Sequence, residues 1–146
     1  MLRERLAAYL DERSAAAILL VGEAPGYRGA RVSGIPFTSE RQLTGAGPAE
    51  ATATIVQRVL AELGIGESVL LWNVVPTHPG TATSNRRPSQ AELDAGLLFL
   101  RALAAGRRVV AVGRVAEHAL GVHGIRHPSH GGAKSFRAGL IEFARP

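Results

Sequence analysis

The chain has 146 residues, of which 46% are hydrophobic and 20% charged, proportions of a folded domain with one core rather than of a disordered segment. It has no cysteine, which excludes disulfides, thiolate zinc sites and cysteine-held iron–sulfur clusters and fits a reducing compartment. The net charge is +5, carried almost wholly by arginine, since Lys134 is the only lysine; a phosphate-binding surface and an arginine-rich codon usage both account for it.

In chain order, Leu2, Leu6 and Leu10 share one face of a first helix. The N-terminus carries acidic residues and no apolar core of a signal peptide, and no apolar run is long enough to span a bilayer. Ala15 to Val21 is a short apolar run that reads as a buried parallel strand ending at Gly22. An irregular stretch rich in glycine and proline is expected from Glu23 to about Gly45. A helix follows, with Ile55, Val56, Val59, Leu60 and Leu63 at helical spacing and Gly64 as its stop. Val69 to Val75 reads as a second buried strand, and Pro76 to Pro88 as a polar loop.

Ser89 and Glu92 form a capping box for a helix with Leu93, Leu97, Leu100 and Ala104 on its core stripe. Arg108 to Gly113 is a third strand and Arg114 to Leu120 a short helix. A fourth strand is expected near Val122 to Arg126. His127-Pro128-Ser129-His130-Gly131-Gly132 follows it, and Ala133 to Phe143 is a last helix weakened by Gly139. The alternation predicts one α/β domain over residues 1–146, a three-layer α/β/α sandwich around a central four-stranded, mainly parallel sheet.

Ligands of such sheets bind beyond the carboxyl ends of the strands, so Gly22 to Gly26, Asn73 to Arg87 and His127 to Gly132 should converge. Glu23 offers a carboxylate that orients or deprotonates a water, or caps backbone N–H groups. Phe37 is an aromatic able to stack on a base, or a loop anchor. Asn73 carries an acceptor beside a donor, complementary to the N3–H and O4 edge of uracil and mismatched to cytosine, or it ties down a loop. His123, His127 and His130 lie close together, yet Pro128 and the glycines break the spacing a metal site needs, and no metal is expected. Ser129 and the neighbouring glycines can turn N–H groups toward phosphate. Gly22 to Gly26 lacks the lysine and spacing of a nucleotide-binding phosphate loop.

These segments together resemble the uracil-DNA glycosylase superfamily. Gly22-Glu23-Ala24-Pro25-Gly26 is similar to the first motif of its bacterial and archaeal iron–sulfur branch, and Gly34-Ile35-Pro36-Phe37 to the segment whose phenylalanine stacks on uracil. Asn73 falls where a uracil-reading asparagine stands, and Ser84-Asn85-Arg86-Arg87-Pro88 resembles the segment that follows. Val112 to Ala116 looks like the family's third strand and helix start, and His127-Pro128-Ser129 like its closing motif. The resemblance implies a DNA-repair hydrolase that removes uracil and leaves an abasic site, with Glu23 and His127 catalytic and Gly22, Ala24, Phe37 and Asn73 around the base. Pro25, Gly26, Arg86, Arg87, Ser129, His130 and Gly131 are the expected DNA contacts. It implies no cofactor, uracil-containing DNA as partner, no membrane association, a monomer, and a cytoplasmic, nucleoid-associated location.

The alternative is a catalytically weak or inactive DNA-binding protein of the same fold. The chain departs from the iron–sulfur branch in lacking its four cysteine ligands, and it has Gly26 where the thymine-excluding branch has a tyrosine. Gly26 is therefore expected to leave the C5 side of the base open.

Overall fold

A computed structural model describes residues 1–146. Four parallel strands form the sheet: β1 (Ile18–Gly22), β2 (Val69–Asn73), β3 (Arg108–Val112) and β4 (Gly124–Ile125), in the order β2-β1-β3-β4. Every residue of β1 and β2 is buried, which is why both read as unbroken apolar runs rather than as alternating ones. The connection from β1 to β2 is α4 (Ala51–Leu63), and the chain then crosses back over β1 through α5 (Gln90–Ala104) to β3. That reversal puts the switch point between β1 and β3. After β3 come α6 (Arg114–Leu120), β4 and α7 (Ala133–Ala144); α4 packs with α7 and α5 with α6, one pair on each face of the sheet.

The first helix, α1 (Leu2–Glu12), closes the free edge of the sheet. Its buried Tyr9 hydroxyl accepts the Leu71 N–H at 2.7 Å, meeting an edge donor that no strand satisfies. Burial pushes the Tyr9 phenol up to about 12, so the hydroxyl stays neutral. Two glycines let helices approach the sheet. A Cβ on Gly96 of α5 would overlap the Val74 carbonyl, and one on Gly139 of α7 would come 2.8 Å from Cγ2 of Ile125. Gly139 is thus a packing contact, and α7 runs unbroken through it.

Some boundaries depart from the sequence reading. The stretch after β1 contains two short helices, α2 (Ala30–Ser33) and α3 (Glu40–Thr44), each stopped by a left-handed glycine, Gly34 and Gly45. Arg5 of α1 holds α3 through a two-pronged ion pair with Glu40, at 2.7 and 3.0 Å. The fourth strand is only two residues long, because the chain turns at Arg126 into the segment that carries His127. The sheet is wholly parallel. No helix is long and apolar enough to cross a membrane.

Candidate active site

The carboxyl ends of β1, β2 and β4 and the loops that leave them surround a cleft of about 400 Å³. Pro25, Pro36, Pro88 and Pro128 are each buried, tacking the loop segments to the body. The parallel register sets Gly22, the last residue of β1, directly beside Asn73, the last residue of β2. A Cβ at Gly22 would overlap the Phe37 ring and lie 2.8 Å from Asn73 Oδ1, so only glycine lets the ring and the amide meet there.

Phe37 is buried and sits at φ 51°, a left-handed conformation that is uncommon for a bulky residue. The surroundings hold it there. Gln57 of α4 donates to the Phe37 carbonyl and to Thr38 Oγ1, both at 3.0 Å, while buried Ser33 donates to the Thr38 carbonyl at 2.6 Å. The ring both packs into the hydrophobic core and lines the cleft.

Asn73 is 3% exposed, yet its carboxamide forms no hydrogen bond with the protein. It is not sealed off, because the side chain lines the cleft. The loop-tie role is therefore vacant, and both its acceptor and its donor are free for a ligand.

At His127 the hydrogen bonds select the tautomer. The Ser129 N–H donates to Nδ1 at 3.1 Å, and Ser129 Oγ lies 2.7 Å from the same nitrogen. Nδ1 is thus an acceptor, and the neutral ring carries its proton on Nε2, which has no protein partner. Burial, then Arg126 and His130, hold the imidazole pKa below its ordinary value, which favours the neutral ring. The ring stands over Gly113, whose Cβ would lie 3.5 Å from that of His127. A Cβ on Gly132 would overlap the His127 carbonyl, so the turn from 127 to 132 closes only with glycine there.

Glu23 is half-buried in the cleft. Burial raises its carboxyl pKa, and Arg87 opposes that shift. A carboxylate tuned upward in this way is a better base than an exposed one. Ala24, Pro25 and Gly26 continue the wall, and Ser129 and His130 face it from the other side. Gly131, exposed and at φ 78°, and His130, at φ 52°, form the bend just before α7. Arg87 stands beside Glu23 in a shallow depression that adjoins the cleft.

Arg86 lines the cleft with its side chain about half exposed, and its guanidinium is also tied to protein groups. Its guanidinium donates to Glu92 at 2.8 and 3.3 Å, to the Pro79 carbonyl at 2.9 Å and to the Arg87 carbonyl at 3.1 Å. Arg86 chiefly, with help from Ser89, lowers the Glu92 pKa to about 2. Arg86 therefore anchors the loop to the capping box of α5, which leaves Arg87 as the free cation of the pair.

The cleft is also lined by residues to which the sequence assigns no role, among them Tyr27, Glu50, His78 and Asn85. Two of them join the first and second loops. Asn85 Oδ1 accepts the Tyr27 N–H at 2.9 Å. His78 Nδ1 lies 2.7 Å from the Pro25 carbonyl, with Nε2 2.7 Å from that of Thr81. Glu50 precedes α4 at a position where helices favour Ser, Thr, Asp or Asn, but its side chain caps nothing. Its carboxylate occupies the space into which a residue-26 side chain would project: a Cβ on Gly26 would overlap Oε2. The space beside Gly26 thus holds the Glu50 carboxylate.

At the carboxyl ends of the strands of this α/β sheet, one cleft thus brings together an aromatic ring, an unpaired amide, an imidazole with a free Nε2 and a half-buried carboxylate. The model of the Uracil DNA glycosylase superfamily matches residues 10–141, and the chain belongs to that family. It is thereby a DNA glycosylase in general kind, a hydrolase of DNA repair acting on damaged bases in DNA. No curated protein matches the chain.

Proposed function

We propose that the protein excises uracil from DNA by hydrolysing its N-glycosidic bond, leaving an abasic site. The observation that carries this reading is the buried Asn73 carboxamide, which has no partner in the protein and opens into the cleft. Uracil presents N3–H to Oδ1 and O4 to the Nδ2 donor. Cytosine reverses both and would leave buried groups unpaired.

The target nucleotide leaves the base stack and enters the cleft, with Phe37 against its face. The bond from N1 to C1′ lengthens and its electron pair moves onto the base, where negative charge gathers on O2. The Nε2–H of His127 donates to that oxygen and binds it more tightly as the charge grows, which lowers the barrier. A neutral ring suffices for this, because the Ser129 N–H fixes the tautomer in advance.

Glu23 orients a water for attack on C1′ and takes its proton, and the carboxylate charge favours the oxocarbenium-like sugar. Arg87, Ser129, His130 and the N–H groups of the bend before α7 are the phosphate contacts of this reading, with Pro25 and Gly26 along the same strand. Arg86, which lines the same cleft, holds the loop through Glu92.

The test is excision from matched oligonucleotides carrying uracil, hypoxanthine, xanthine or a thymine mismatch, with abasic sites cleaved by alkali. Turnover on uracil well above that on the others supports the reading. Tight binding with no cleavage of any strand would make the protein a reader rather than an enzyme.

A further inference from the structure

His78 is the one imidazole whose two ring nitrogens both face carbonyl oxygens. Nδ1 lies 2.7 Å from the Pro25 carbonyl, and Nε2 lies 2.7 Å from that of Thr81 and 3.1 Å from that of Ser84. A carbonyl oxygen only accepts, so each nitrogen has to donate. A neutral imidazole carries one N–H and one lone pair, and here it would set that lone pair against an oxygen. The imidazolium carries two N–H groups and meets all three carbonyls with charge-assisted bonds. His127 is the contrast: its Nδ1 receives the Ser129 N–H, which suits a neutral ring.

The loop after β2 is built around the ring. A Cβ on Gly80 would lie 2.2 Å from the Ser84 carbonyl oxygen and 2.9 Å from His78 Nε2, so the loop closes only with glycine there. The Thr81 N–H donates to the Ser84 carbonyl at 3.1 Å, and the two hydroxyls meet at 2.7 Å. Across from it, the turn after β1 is held at three points. The Glu23 carbonyl accepts the Val75 N–H at 3.0 Å, Asn85 accepts the Tyr27 N–H, and His78 holds Pro25 between them. Of these ties, only the His78 one is broken by loss of a proton.

The charges around the ring come from several elements. Burial pushes the Glu50 carboxyl up, and the charge of His78, ahead of that of Arg28, opposes the shift. Glu23 is the second carboxylate of the cleft, and Arg28 and Arg86 are its cations nearest in sequence to the two loops. Arg3 and Arg31 line a second pocket that His78 also borders. Tyr27, His127 and His130 are the other titratable groups of the cleft.

We infer that His78 is a positioning residue acting as an imidazolium clamp, tying the turn that carries Glu23 to the loop after β2 only while both ring nitrogens are protonated. The clamp rests on the geometry of the ring, and its effect on catalysis rests on the uracil reading. Loss of one proton removes a tie on one side of the ring. The Glu23 carboxylate is then free to leave the line to C1′, and the rate falls through misplacement of the attacking water.

The experiment follows the His78 ring nitrogens of the free protein by NMR over a pH series, with their signals assigned by His78→Gln. While both nitrogens carry protons, the amide signals of Gly26, Tyr27, Thr81 and Ser84 should stay fixed, and loss of the second proton should shift them. Amides that stay unmoved through that step would overturn the clamp. Single-turnover uracil excision at saturating enzyme is read over the same series. The wild-type rate should fall by about tenfold on the alkaline side, with the midpoint of the His78 step, while strand affinity changes less. His78→Gln keeps one amide donor but does not titrate, so its rate should begin about tenfold low and show no such limb. A limb that persists in His78→Gln, or a midpoint that departs from the His78 step, would remove His78 from positioning. A wild type that excises no uracil at any pH would sink the uracil reading, and the NMR series would still decide the clamp. Should His78→Gln not fold, agreement or disagreement of the two wild-type midpoints decides the matter without it.

Discussion

Replacing Asn73 by Asp changes one atom in the base-reading amide, from the Nδ2 donor to an oxygen. At a position 3% exposed and with no protein neighbour to absorb the change, the whole effect falls on the ligand. The ionised side chain loses the bond to uracil O4 and sets two acceptors face to face. An unmet buried hydrogen bond costs about 1–3 kcal/mol and the repulsion adds to it, so uracil excision should fall on the order of 10²-fold at neutral pH. Burial also pushes the new carboxyl upward in pKa, toward its neutral form.

Once protonated, the carboxyl introduced by Asn73→Asp has the donor–acceptor pattern of the lost amide: its O–H donates to O4 and its carbonyl accepts N3–H. The variant-to-wild-type rate ratio on uracil should therefore climb as pH falls, because the protonation of Glu23 affects both proteins and cancels. In its ionised form the same carboxylate accepts from the amino group of cytosine, so a trace of cytosine excision is expected at high pH only. Single-turnover rates on uracil, cytosine, thymine and hypoxanthine strands over a pH series make the measurement. A ratio near one at every pH would show that Asn73 does not touch the base.

Three further outcomes follow from the charges. The raised pKa of Glu23 means that the wild-type rate should fall on the acid side with a midpoint above the ordinary carboxylate range, and Glu23→Gln should abolish that limb; a limb that survives belongs to another group. Arg87→Ala should flatten the slope of log affinity against log salt by about one unit, whereas Arg86→Ala should lower the melting temperature and leave the slope nearly intact; the reverse pattern would return Arg86 to the DNA surface. Glu50 has a folded-state pKa above its unfolded one, so its protonation favours folding below the unfolded value, and that benefit is lost as pH rises through the folded value. Glu50→Gln should accordingly melt higher than the wild type at neutral pH, with the gain vanishing in acid; a lower melting temperature at neutral pH would mean that the carboxylate is paired.

The parts of the fold legible in the sequence are those set by burial. Strands hidden on both faces leave continuous apolar runs, as in Leu19 to Val21 and Leu70 to Trp72, and Ser89 with Glu92 announces α5 by its capping box. The short helices α2 and α3 were not legible because each is a single turn defined by its glycine stop and by long-range ties such as Arg5 to Glu40. Within the site, residues at strand ends could be found from topology alone, Asn73 and His127 above all. Glu50 could not, since it reaches the cleft from the start of a helix far along the chain and is recognised only by the absence of a side chain at Gly26. Arg86 and Arg87 look alike in sequence and part company only because Glu92 lies within reach of the first. The tautomer of His127 is likewise set by a contact that no sequence pattern encodes, the Ser129 N–H on Nδ1.

In the proposed mechanism Glu23 and His127 perform uracil hydrolysis in the Asn73 cleft. Its most direct test is single-turnover excision of uracil from a defined oligonucleotide, with binding of the same strand measured in parallel, for the wild type, Glu23→Gln and His127→Ala. The wild type should release uracil and leave an alkali-labile site, and each variant should slow that step by about 10² or more while its affinity changes far less. No uracil release by the wild type, or variants that lose binding and rate in equal measure, would contradict it.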